Sequence, residues 1–210
     1  MNQLVTHVFN LVIQLLIAFL VWQHYRDRTY PETMKYRSFW PRFWTGSVDA
    51  CVLWPVSFGG AVILSFKLPA AVIAVVIVAQ NLGVLFYSVI MHARFGQTFG
   101  KMATKVRVVD AITEGPLTFR QALLRESLPL ATTVGILGYV IYALLTAPDA
   151  SDPQRALAQE VMVSPKTLGF LAILPGLWYL AEVLTMLTND KRRALHDFIA
   201  GTVVIRTNAA

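Results

Sequence analysis

The stretch Phe43–Phe66, FWTGSVDACVLWPVSFGGAVILSF, decides the class of this chain: 24 residues with a single charge, Asp49, and Arg42 standing at the threshold. About 20 apolar residues in a helix cross the hydrocarbon core of a bilayer. A carboxylate inside such a span costs about 3 kcal/mol even on lenient insertion scales, so it faces a bundle interior or a cavity and finds partners there. Asp49 therefore marks either a pathway through the membrane or an architectural lock.

Composition carries the same message. The chain is 56% hydrophobic and 14% charged, against about 25% charged in a soluble domain. Four further apolar stretches qualify as spans, Leu4–Trp22, Leu68–Met91, Leu128–Thr146 and Leu168–Leu187. The expected fold is an all-α integral membrane protein with five transmembrane helices. Lys67-Leu68-Pro69 reads as a tight turn between the second and third. The first stretch has no Lys or Arg before it and no small-x-small site after it, so it reads as a retained helix rather than a signal peptide. Residues 1–24 form an extra N-terminal helix ahead of a membrane domain over 39–206.

The basic residues set the orientation. Fifteen of the 18 Lys and Arg lie in segments 23–42 and 93–127 and in the tail after 190; the others are Lys67, Arg155 and Lys166. The positive-inside rule puts those three segments in the cytoplasm, hence the N-terminus outside and the C-terminus inside, as five spans require. The net charge of +6 follows from this loop bias. No basic-aromatic module is present, and nucleic-acid binding is not expected. With Cys51 the single cysteine, no intrachain disulfide can form.

Two cytoplasmic segments have a pattern of their own. Lys105–Asp110 (KVRVVD) and Thr202–Arg206 (TVVIR) read as short strands that can pair in a small β element. Thr118 and Gln121 have the spacing of a capping box opening a helix toward Glu126. Asp152-Pro153 suggests a short helix through about Val161. Gly96–Lys101 (GQTFGK) is one residue short of a phosphate loop, and Met102 stands where Ser or Thr is needed. A turn leaving the third helix is the better account.

Polar residues inside the spans supply the candidate site. Gln3, His7, Asn10 and Gln14 share one face of the first helix, and Asn81, Ser88 and His92 one face of the third. Each stripe faces protein or water, either for helix–helix hydrogen bonding or along a pathway. Asp49 lies about 10 Å deeper than Arg42, and Glu182 about 9 Å from the cytoplasmic end of the last helix. Facing each other, these two carboxylates can share a proton or hold a cation; otherwise each needs an amide, hydroxyl or basic partner. Asp197, in His196-Asp197, falls at the level of Arg42, and an Arg42–Asp197 salt bridge would staple the tail to the second helix.

Together these residues resemble the RDD family of membrane proteins, named for one arginine and two aspartates. The matching positions are Arg42, Asp49 and Asp197, with Leu195-His196-Asp197 and Ala200–Val204 similar to the C-terminal motif. Gly96-Gln97-Thr98, Gly100-Lys101, Val108–Asp110 and Arg125-Glu126 are similar to the middle section. The resemblance covers roughly 39–206 and implies a bacterial-type, multi-pass protein of the inner or plasma membrane with a part in transport, some members being linked to sodium/proton antiport. The expected function is movement of a cation, a proton or a small solute coupled to one. Asp49, Glu182, Asn81 and His92 would line the pathway, and Arg42 with Asp197 would form a gate. The alternative is a non-transporting accessory or assembly subunit of a larger complex. No cofactor, metal or enzymatic activity is expected, since neither a His/Glu metal motif nor a nucleophile–base pair is recognisable. The expected partners are the lipid bilayer and either further copies of the chain or other membrane subunits.

Overall fold

A computed structural model describes residues 3–66, 68–146 and 165–209. In chain order the elements are α1 (Gln3–Arg26), a 3-10 turn (Glu32–Met34), α2 (Phe39–Leu64), α3 (Ala70–Phe95), α4 (Phe99–Ala103), β1 (Val106–Asp110), α5 (Phe119–Arg125), α6 (Ser127–Thr146), α7 (Pro165–Thr188), α8 (Leu195–Ala200) and β2 (Thr202–Arg206). Each of the five apolar stretches is helical over most of its described residues, with Ser65-Phe66 and Leu68-Pro69 left in the connection between α2 and α3. Of these, α2 and α3, at 26 residues each, are long and apolar enough to cross a membrane. The side chains of Gln3 and His7, Lys67, and the helix expected after Asp152 fall outside the described residues.

Large apolar side chains project outward along the long helices, among them Leu16 and Phe19 on α1, Val75 and Phe86 on α3 and Leu180 on α7. A water-soluble monomer rarely exposes so much contiguous apolar surface, whereas lipid is its natural solvent. The architecture is mostly helical and of the membrane type. Pro41 sits in the first turn of α2, where helix N–H groups lack intrahelical partners anyway.

Beside the long helices, which bury Val21, Ile73 and Val89 among others, lies a compact apolar cluster. Val106, Val108, Leu117 and Val204 form one cluster around a two-stranded antiparallel sheet in which Val108 faces Val204 and Asp110 faces Thr202. Thr118 and Gln121 close the capping box at the start of α5: Thr118 Oγ1 accepts from Gln121 N at 3.2 Å, and Gln121 Oε1 accepts from Thr118 N at 3.0 Å. This subdomain gathers the three basic segments. Arg206 N–H donates to Lys35 O at 2.9 Å, and Lys35 Nζ pairs with Glu114 at 2.6 Å.

Gly96–Lys101 differs from a plain turn. Gly96 ends α3 in the left-handed region at φ +66°, where a Cβ would stand 2.6 Å from Val108 O, so glycine is required. Thr98 then caps the short helix α4, its Oγ1 accepting from Lys101 N at 3.3 Å. The chain leaves α3, turns, and lays α4 against α2.

Candidate functional site

The Arg42–Asp197 contact is direct, Nη2 to Oδ2 at 2.7 Å, and it is one arm of a larger cluster. Asp197 is wholly buried. Its carboxylate also receives Arg125 Nη1, Thr202 Oγ1 at 3.1 Å and Ala194 N–H at 2.9 Å. Burial pushes the Asp197 carboxyl up, but Arg42 and then Arg125 hold it well below the usual carboxylate range. The last of these bonds is the carboxylate half of a capping box for α8; the methyl of Ala194 cannot accept the bond that would make the other half.

His196 links this cluster to Glu182. Its Nε2 lies 3.1 Å from Arg42 Nη2 and 2.9 Å from Arg125 Nη2. Guanidinium nitrogens only donate, so Nε2 is an acceptor and the ring is neutral with its proton on Nδ1. That Nδ1–H donates to Glu182 Oε2 at 2.6 Å. Burial, the largest influence, together with the two arginines lowers the His196 pKa although Asp197 opposes them, in agreement with the neutral ring. Two guanidiniums and two carboxylates thus form a net-neutral latch tying α2, α5, α7 and α8 together.

Glu182 does not reach Asp49. It is 7% exposed and, among the described residues, is held by His196 alone, through Nδ1 and through the backbone N–H at 3.2 Å. The reason lies in the segment 189–194. Asn189 donates to Arg193 O at 2.8 Å and accepts from Arg193 N at 2.8 Å, folding the chain back so that α8 returns alongside α7. Glu182 therefore meets a residue 14 positions later instead of one across the bundle.

Asp49 has a different set of partners. Oδ1 accepts from Tyr87 Oη and Gly100 N, each at 2.8 Å, and Oδ2 accepts from Thr98 Oγ1 at 2.7 Å. All three donors are neutral. Gly100 can approach because it lacks a side chain: a Cβ there would stand 2.3 Å from Thr45 O and 2.9 Å from the Asp49 carboxylate. Asp49 fastens α3 and α4 to α2, and it makes no contact with Arg42.

One side of Asp49 faces a cavity of about 470 Å³. Asn81, Ser88 and His92, the polar stripe of α3, line it together with Lys101 and Glu126. The stripe extends about 16 Å along the helix axis. A second cavity, of about 290 Å³, is lined by Arg42 and Glu182, and His196 and Trp178 stand in the walls of both. Asp49 and Glu182 thus belong to separate spaces, and Asp197 lines neither.

Within the larger cavity Ser88 Oγ donates to Glu126 Oε1 at 2.6 Å and lies 3.3 Å from His92 Nδ1. Burial, and next Arg125, lower the Lys101 ammonium to about 8. No group of three or more metal-ligating side chains occurs among the described residues. Reading the sequence by charge in spans missed Arg125, Lys101, Glu126 and His196, all of which sit in loops or short helices. The hints were that Lys101 and Arg125-Glu126 fall in the stretches resembling the RDD middle section and His196 in the stretch resembling its C-terminal motif.

No curated protein and no solved structure matches the chain. A family model does: residues 36–201, from just before Arg42 to just after Asp197, match the RDD family. The three namesake residues, Arg42 and Asp197 in the latch and Asp49 in the cavity wall, sit in a chain that belongs to the RDD family.

Proposed function

We propose that this protein is a five-span protein of a prokaryotic cell membrane, without enzymatic activity, that moves a small solute, cation or proton through the cavity beside Asp49. The basic subdomain lies on the cytoplasmic side, by the positive-inside rule. The observation that carries the reading is the cavity itself. It runs along the polar stripe of α3, and charges of both signs, Asp49, Lys101 and Glu126, stand in its wall. An ionisable group inside a span, as Asp49 is, is costly and points to a functional site with a named partner. The latch of Arg42, Arg125 and Asp197 is the gate at the cytoplasmic end, and His196 and Trp178 are the partition between the two cavities.

Flux measured in proteoliposomes tests this. Proton and sodium movement and solute uptake are followed with wild type and with Asp49→Asn. Loss of flux in a variant that still folds supports the pathway, and wild-type flux in it sinks that role. A second reading, a non-transporting accessory subunit, is favoured by one observation: the Asp49 carboxylate already accepts three hydrogen bonds, as an architectural lock would. It expects no flux from the wild-type protein alone and co-purification with other membrane subunits.

A further inference from the structure

The cavity has unspent hydrogen-bonding capacity of two kinds. His92 is 2% exposed, and its Nε2 is buried without a hydrogen-bond partner in the protein. Its tautomer follows from its neighbours. Ser88 gives its hydroxyl proton to Glu126 Oε1, so the Ser88 oxygen can only accept from His92 Nδ1, 3.3 Å away. Nδ1 therefore carries the proton, and Nε2 presents a bare lone pair. Glu126 Oε2, the other oxygen of that carboxylate, receives no hydrogen bond among the described residues. These two acceptors suit an ammonium group.

The opposite capacity is Lys101. Its ammonium lines the same cavity and forms no hydrogen bond or ion pair among the described residues; only its backbone N–H is bonded. The other cation in the wall, Arg125, spends Nη1 and Nη2 on Asp197, Thr202 and His196, and only its Nε–H is left unbonded among the described residues. Asp49 is likewise occupied, by Tyr87, Thr98 and Gly100. Lys101 is left to meet a ligand carboxylate. A buried polar atom left unpaired, as His92 Nε2 is, is costly, and one ligand of the right charge pattern would complete both ends.

From the unpartnered His92 Nε2 and the unpaired Lys101 ammonium in one cavity of about 470 Å³, we infer that the cavity binds a small zwitterion of the α-amino-acid class. Its ammonium lies on the unbonded Glu126 Oε2 beside the His92 ring, and its carboxylate lies on Lys101. The volume falls in the range of small-molecule sites. This rests on the proposed transport reading and names its solute class.

Calorimetric titration of the full chain in lipid nanodiscs tests the inference. The probes are glycine and L-serine, with N-acetyl-L-serine lacking the ammonium and ethanolamine lacking the carboxylate. Both zwitterions should bind, and each single-charge analogue should bind at least about tenfold more weakly. Lys101→Met should weaken L-serine about tenfold and leave ethanolamine unchanged, and His92→Phe should leave N-acetyl-L-serine unchanged. The 15N resonances of His92 should report a protonated Nδ1 and a bare Nε2 that shifts on adding L-serine. N-acetyl-L-serine binding as tightly as L-serine would make this an anion site, and equal binding of ethanolamine a cation site; either overturns the inference. Absence of binding by both zwitterions also overturns it, without recourse to variants that fail to fold. Proton or sodium flux persisting in that case would leave the transport reading standing, whereas zwitterion binding without flux would overturn transport alone.

Discussion

Asp197 and Asp49 are both buried or half-buried aspartates with several hydrogen-bond donors each, yet their electrostatic situations are opposite. Asp197 meets two guanidiniums, a hydroxyl and a backbone amide, with His196 and Glu182 completing a set whose charges cancel. Asp49 meets a phenol, a hydroxyl and a backbone amide, none of them charged. Its direct partners bring no charge, and the cation that interacts with it is Lys101, in the wall of the same cavity. A cancelled charge on a wholly buried carboxylate is suited to holding elements together. A carboxylate oriented by neutral donors beside an open volume is suited to handling something that enters it.

The contrast can be broken from either side. Asp197→Asn should have the largest effect. It leaves Arg42 and Arg125 buried with no carboxylate between them, and breaking such a pair by removing one partner costs about 3–5 kcal/mol. Thermal melting in detergent should show the loss, and a melting point within a degree of wild type would contradict the latch. Gly100→Ala comes next, because the added methyl has no room between Thr45 O and the Asp49 carboxylate. Overpacking of that kind costs about 1–3 kcal/mol, read by the same melt.

Asp49→Asn should cost less, about 1–2 kcal/mol. The amide oxygen can still accept from Tyr87 and Gly100, and only the bond from Thr98, whose hydroxyl oxygen already accepts from Lys101 N, is disturbed. A loss as large as that of Asp197→Asn would show that the two aspartates do the same work. The smallest effect is a slope with pH. Burial lowers the His196 pKa in the folded protein, while the unfolded chain keeps an ordinary value near 6.5. As pH falls below about 6.5 the unfolded state takes up a proton that the folded state refuses, so stability declines. The latch should therefore be most stable above pH 6.5, and His196→Gln should flatten the difference between melts at pH 7.5 and 5.5. An unchanged slope in that variant would mean that His196 is not the neutral link between the arginines and Glu182.

Several features of this molecule are local enough to read directly. The long helices follow from unbroken apolar runs, and the two strands from alternation in VRVVD and TVVIR. The α5 start follows from Thr118 and Gln121, three residues apart, and the cavity-lining stripe from the spacing of Asn81, Ser88 and His92. The sharing of Asp197 between two arginines was not legible, because Arg125 lies in a short helix whose approach to the tail depends on the β1–β2 pairing. Nor was the separation of Glu182 from Asp49, since equal depth in a bilayer does not establish that two side chains face each other.

The amino-acid sequence by itself determined that the chain is apolar and helical, where its charges interrupt that pattern, and which family it resembles. These properties depend on hydrophobic burial and on helical and strand periodicity, which act over a few residues. Only the tertiary structure decided which charges cancel. The return of the chain at Asn189–Ala194 and the approach of α4 over Gly100 bring together groups from 14 to more than 70 positions apart. Electrostatic energy in a low-dielectric interior depends steeply on those distances, and the order of residues along the chain does not contain them.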